Sequence, residues 1–179
     1  AIASAPQVPR PRMDLAALWT RAGQATKACK TLTEALYAAP SAIPLIAPLL
    51  AQSALAAGEG EATLALLKST YLDVPSLDVL DAIVTLEASS SELTPTARDW
   101  YARHLEKEPS LVAATKWIAG EKLEREAFHP QVQRALDHAV KPLTRYRCAA
   151  CGFEAKVHFW QCPGCQAWDS YPARRVEEL

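Results

Sequence analysis

The dipeptide Pro-Ser recurs three times at nearly one interval, and no other feature limits the fold of this 179-residue chain as tightly. It falls in "EALYAAPSAI" at Pro40-Ser41, in "STYLDVPSLD" at Pro75-Ser76 and in "HLEKEPSLVA" at Pro109-Ser110, so consecutive prolines stand 35 and 34 residues apart. Proline lacks an amide hydrogen and biases its predecessor away from helical backbone, which makes it a stop signal. A serine directly after it can accept a bond from the free amides of the next helix, which makes it a start signal. Stop-start signals at a regular spacing predict paired helices repeated along the chain.

Helical periodicity fills the intervals. The first pair is expected near Arg12–Ala22 and Gln24–Ala38, with Leu15, Leu18, Trp19, Ala28, Leu32, Ala35 and Leu36 recurring at three- and four-residue steps. The second spans about Ala42–Ala57 and Ala62–Tyr71 around a "GEGE" turn, and the third about Leu77–Ala88 and Pro95–Lys107 with a polar "SSSELT" between. A fourth pair, near Leu111–Glu126 and Pro130–Val140, lacks the closing signal and reads as a degenerate or capping unit. A 34-residue period is that of the tetratricopeptide repeat. The Trp, Gly and Tyr signature of that repeat is mostly missing, and the competing reading is a helical bundle with coincidental prolines. Six glycines, with alanine and leucine abundant, favour helix in either case.

Repeat arrays hold partners on a concave face. The first helices of the second and third units would present Leu45, Pro48, Gln52, Leu55, Val79, Ala82 and Leu86 there, with Leu45, Gln52, Leu55, Val79 and Leu86 as the partner-binding candidates. The set is mostly apolar and has no lysine-asparagine clamp for a peptide carboxylate. The alternative is that these side chains pack between helices.

Charge and hydropathy narrow the function classes. A formal net charge of -1 gives no global attraction to nucleic acid or anionic lipid. The most apolar window, residues 41–58, is broken by Pro44 and Pro48 and polarised by Gln52, which argues against a membrane span. No basic-then-apolar leader opens the sequence, and its first residue is Ala1, so a fragment of a longer protein is expected. Asp99, His104 and Glu106 read as a solvated helix face. No glycine-rich phosphate loop, nucleophile elbow or paired-histidine helix is present, and an enzyme is not expected.

Five cysteines with four in close pairs fit a reducing compartment better than a disulfide scaffold. Cys29 lies in a helical pattern and reads as an inert small apolar residue. The other four, Cys148, Cys151, Cys162 and Cys165, form two Cys-x-x-Cys pairs separated by ten residues. A two-residue gap lets a tight turn aim both sulfurs at one ion, and two facing turns complete a tetrahedral sulfur site for zinc or a single iron. Gly152 supplies left-handed backbone after the first pair, and Pro163-Gly164 supplies turn chemistry inside the second. "FEAKVHFWQ" between them reads as a hairpin, with Phe153, Val157, Phe159 and Trp160 for a small core and His158 exposed. Four protein ligands leave no open position for hydrolytic catalysis. A redox dithiol is the competing reading. A nucleic-acid ribbon would use Arg145, Arg147, Lys156, Arg174 and Arg175, but Glu154, Asp169, Glu177 and Glu178 offset them, and no nucleic-acid partner is expected.

The stretch "YRCAACGFEAKVHFWQCPGCQAWDSYP" resembles the lipopolysaccharide assembly protein B family of Gram-negative bacteria, in its Tyr-Arg-Cys-x-x-Cys-Gly-Phe, its aromatic pair, its Cys-Pro-x-Cys and its following Trp. The resemblance implies tetratricopeptide repeats followed by a rubredoxin-like domain, with the ligand role falling on Cys148, Cys151, Cys162 and Cys165. It implies rubredoxin-type iron, or zinc in its place. It also implies a non-catalytic adaptor on the cytoplasmic face of the inner membrane, tethered by an N-terminal helix missing here. Such an adaptor promotes proteolysis of the lipid A deacetylase by a membrane-bound AAA+ protease and associates with lipopolysaccharide assembly factors. Alternative readings are an electron-transfer protein and a component of a glycosyltransferase. Gln166 stands where a rubredoxin usually has glycine, which favours a structural ion over electron transfer. The expected fold is mainly α: residues 1–11 as linker or repeat remnant, 12–142 as tetratricopeptide-type helical repeats, and 143–179 as a rubredoxin-like, zinc-ribbon β module.

Overall fold

The computed structural model describes residues 7–88, 95–120 and 129–179. Among them are eight α-helices: α1 Arg10–Arg21, α2 Ala25–Ala38, α3 Ile43–Ala57, α4 Gly60–Asp73, α5 Leu77–Glu87, α6 Pro95–Lys107, α7 Leu111–Ala119 and α8 His129–Val140. Two short strands follow, β1 Tyr146–Arg147 and β2 Glu154–Ala155. The chain divides into two compact units, residues 1–91 and 92–179, so that α6 to α8 group with the cysteine module. The expected linker ends early: α1 already begins at Arg10, with Pro9 as its N-cap and Pro11 in its first turn, where a missing amide costs no helical bond. The "SSSELT" loop and the 121–126 end of the predicted seventh helix lie outside the described residues.

In the first unit α3 is the central element, packed against α2, α4 and α5. Its buried face runs through Ile46, Ala47, Leu50, Ala51 and Ala54, and the helices packed on it bury Ala28, Leu32 and Ala35 in α2 and Leu80 and Ile83 in α5. Alanines at the crossings let helix axes approach closely. The Pro40–Ala57 segment is long and apolar enough to cross a membrane, yet 56% of it is buried inside this unit. On α1 the inward residue is Ala16, whereas Leu18 is 58% exposed, because α1 turns that side away from α2.

The Pro-Ser signals divide. Ser76 accepts from the amide of Val79 at 3.3 Å and Ser110 from that of Ala113 at 2.9 Å, so both serve as N-caps. Ser41 does not. Pro40–Ala42 forms a 3-10 turn, and α3 starts two residues past the expected cap, with Pro44 in its first turn and no side-chain cap. Pro44 has no amide to offer, and its fixed φ starts the helix instead. His104 corrects another expectation: Asp99 and Glu106 are exposed, but His104 is 2% exposed, on the buried side of α6.

Candidate metal centre

The cysteine module consists of two turns built to one pattern. In the first, the amide of Cys148 donates to the carbonyl of Phe153 at 2.9 Å, and the amide of Gly152 donates back to the carbonyl of Cys148 at 2.8 Å. In the second, Cys162 donates to Ala167 at 2.9 Å, and Gln166 donates back to Cys162 at 2.8 Å. The strand partners match as well: Arg147 faces Glu154 across β1–β2, and Gln161 faces Trp168 across a lone antiparallel bridge. Both turns close with left-handed backbone, at Gly152 with φ 78° and at Gln166 with φ 61°. Gln166 thus keeps the conformation of the glycine it stands in for. The strain of a Cβ in that region is borne by the surrounding bonds.

This construction places the four thiols within 4.8 Å of one another. Cys148 Sγ lies 3.8 Å from Cys165 Sγ, and Cys151 Sγ lies 3.7 Å from Cys162 Sγ. A tetrahedral ion with metal–sulfur bonds of about 2.3 Å needs sulfurs about 3.8 Å apart, so the residues present fit one ion. Cys148 and Cys162 are buried, while Cys151 and Cys165 face outward.

The thiols have divided acidities. The Ser170 side chain, whose Oγ lies 3.2 Å from Cys148 Sγ, is the main cause that brings Cys148 down to about 6. Burial pushes Cys162 upward, but the amides of Cys165 and Gly164 outweigh it and the net direction is down. The Phe153 amide lowers Cys151, but hydrogen bonding to the neighbouring Cys165 and burial prevail and raise it to about 12. A divalent cation at the centre would make thiolates compatible at this spacing.

The hairpin core differs from the expected one. Phe153 is 44% and Val157 58% exposed, whereas Tyr146 and Tyr171 are buried. Phe153 instead packs over Gly164, whose missing side chain leaves room for the ring. His158 is half-buried rather than exposed, in edge contact with Tyr146, Trp160 and Tyr171, and its Nε2 lies 3.1 Å from the Tyr171 carbonyl. Its place in the ring cluster accounts for it without a ligand role. Ser170 and Tyr171 were missed by sequence reasoning. The Tyr171 hydroxyl donates to the Phe153 carbonyl at 3.2 Å and lies 3.9 Å from Cys162 Sγ, so one side chain ties both turns together. The only signal for them was a Ser-Tyr pair directly after the second turn.

The expected partner groove does not assemble as a set. Val79 and Ala82 are buried core, because α5 packs that face against its neighbours. Leu45, Pro48 and Leu86 are half-buried, and Leu55 is exposed. Only Gln52 of the five candidates lines the apolar cleft of about 460 Å³ between α1, α2 and α3, with Met13, Ala16, Leu32 and Leu49 among its walls.

Residues 146–171 match the family model for the rubredoxin metal binding domain, a zinc ribbon of the LapB type. The chain is also 44% identical over 41 residues to lipopolysaccharide assembly protein B of Escherichia coli K12, and equally to that of strains O6:H1 and O157:H7. Those residues are 22% of this chain and 10% of the relative, so the alignment spans about a tenth of the curated proteins. The likeness is therefore one of the C-terminal module: residues 146–171, with four sulfurs placed for one ion, are similar to the rubredoxin metal binding domain of lipopolysaccharide assembly protein B.

Proposed function

We propose that this chain is part of a non-catalytic adaptor of lipopolysaccharide synthesis, in which helical pairs of tetratricopeptide type and a metal-stapled ribbon form a protein-docking surface. The observation that carries this reading is the match of residues 146–171 to the ribbon of lipopolysaccharide assembly protein B, together with a cysteine set that fits a closed tetrahedral site. Cys148, Cys151, Cys162 and Cys165 would hold the ion, zinc or iron, and four protein sulfurs leave no coordination position for a substrate. The ion's task in this reading is structural: a module with so small a core draws much of its stability from metal.

The partners proposed are the lipid A deacetylase, a membrane-bound AAA+ protease and lipopolysaccharide assembly factors. The place of action is the cytoplasmic face of the inner membrane, with a membrane helix N-terminal to the repeats. The test is deletion of the parent gene, followed by immunoblotting for the deacetylase. Accumulation of the deacetylase, reversed by the wild-type protein but not by one lacking Cys148 and Cys151, is the expected result. An unchanged deacetylase level overturns the reading.

A further inference from the structure

A cavity of about 360 Å³ opens beside the ribbon, lined by Lys141, Thr144, Arg145, Lys156 and Arg175. Four cationic side chains from the end of α8, the lead into β1, the hairpin and the C-terminal segment converge there. Two acids stand beside it and both are engaged: Glu154 places one oxygen 2.8 Å from Arg147 and the other 3.7 Å from Arg145, and Glu178 accepts from the backbone amide of Arg175 at 3.3 Å. Glu177, which the sequence counted against this patch, is committed elsewhere, to the start of α7. Among the described residues Lys141 and Lys156 have no carboxylate partner. Arg175 is held in place, donating to the Thr144 carbonyl at 2.8 Å and lying 4.2 Å over the Tyr146 ring.

Like charges gathered in a concavity repel one another and focus a positive potential on whatever enters. We propose that this cavity binds a phosphate monoester, with the Lys141 and Lys156 ammonium groups and the fixed Arg175 guanidinium as its principal contacts. Arginine matches the geometry of phosphate oxygens, and lysine supplies mobile point charge. A nucleic-acid strand is the less suitable occupant, because it needs a track of cations along its backbone rather than one closed cluster. Charge and shape alone define this site, independently of the adaptor reading.

The test uses the full chain carrying its metal and glycerol 3-phosphate as the probe, followed by amide chemical shifts. Saturable shifts confined to the neighbourhood of Thr144, Arg145 and Arg175 are expected. K141Q/K156Q is expected to weaken binding about tenfold or more, since each loses charge-assisted contacts. Both lysines are exposed, so the variant keeps its fold, which circular dichroism verifies. K30Q removes an exposed charge on α2 and leaves binding unchanged. A second arm uses phosphatidylcholine vesicles containing phosphatidic acid, which carries the same headgroup. Sedimentation competed by glycerol 3-phosphate supports the site with a lipid as its source; soluble binding without sedimentation supports it with a free phosphate ester. Absent or non-saturating shifts, a double variant that binds as wild type, or tighter and steeply salt-dependent binding of a single-stranded oligonucleotide overturns the proposal.

Discussion

The carboxylate of Glu177 accepts the hydroxyl of Ser110 at 2.9 Å, across 67 residues of chain. The same carboxylate takes the amide of Leu111 at 2.6 Å and that of Val112 at 3.2 Å, while Ser110 Oγ accepts from Ala113. The start of α7 is therefore capped twice, by its own serine and by the tail that follows the metal ribbon. Negative charge at a helix N-terminus satisfies free amides and meets the positive end of the helix dipole. The same tail returns beside β1, where Val176 donates to Arg145 at 2.8 Å and Glu177 to Leu143 at 3.2 Å.

Loss of this cap has a measurable cost. Glu177→Ala and Ser110→Ala are each expected to lower stability by about 1–2 kcal/mol, the range for a lost helix cap. Because the two side chains share a bond, the double variant should lose less than the sum of the singles. Urea denaturation of the metal-loaded protein reads both quantities. Additive losses would mean that the two caps act separately.

Metal and thiol reactivity form a second test. Elemental analysis is expected to give one ion per chain, and Cys148→Ser or Cys162→Ser should abolish its retention and expose the ribbon to proteolysis. With the ion bound, no thiol should react readily with a disulfide reagent. After chelation the ribbon opens and its four cysteines should react, whereas Cys29 should lag, because it stays buried in the helical core. Fast labelling of Cys29 in the folded protein would contradict its place in the core.

Backbone conformation gives a pair of opposite effects. Gly152 has φ 78°, and no atom lies within 4 Å of the position a Cβ would take, so Gly152→Ala should cost about 1–2 kcal/mol through backbone strain alone. Gln166, at φ 61°, carries that strain already. Gln166→Gly relieves it but frees the unfolded chain, leaving a net gain below about 1 kcal/mol. Thermal melts of the metal-loaded variants compare the two directly.

Acidification should weaken the ribbon through His158. Desolvation lowers its pKa below the ordinary 6.5, although the Tyr171 carbonyl pulls the other way. The unfolded chain then takes up a proton at about 6.5 while the folded chain resists it. This contribution is complete above the unfolded value and is lost as pH falls from there through the folded one. Imidazole titration by NMR should show a midpoint below 6.5, and His158→Phe should flatten the decline in stability over that window. A midpoint at or above 6.5 would remove His158 from the ring cluster.

Local chemistry made much of the fold legible. Proline stops, serine starts and three- to four-residue periodicity placed α2, α5 and α6 within a residue or two of where they lie, because those signals act on backbone bonds a few residues away. Two-residue gaps between cysteines specified the four ligands for the same reason: the turn that aims both sulfurs is closed by its own amides. Ser41 failed as a cap because Pro44 supplied a competing local start.

The sequence by itself determined which residues form helices and which four sulfurs come together, since periodicity and spacing act over one turn of chain. Only the tertiary structure decided that Val79 is core rather than groove, that His158 belongs among rings, that Ser170 and Tyr171 serve the metal centre, and that Glu177 caps α7 instead of opposing the cations beside the ribbon. Burial and long-range partners depend on how whole elements pack, and no spacing along the chain records a bond that spans 67 residues.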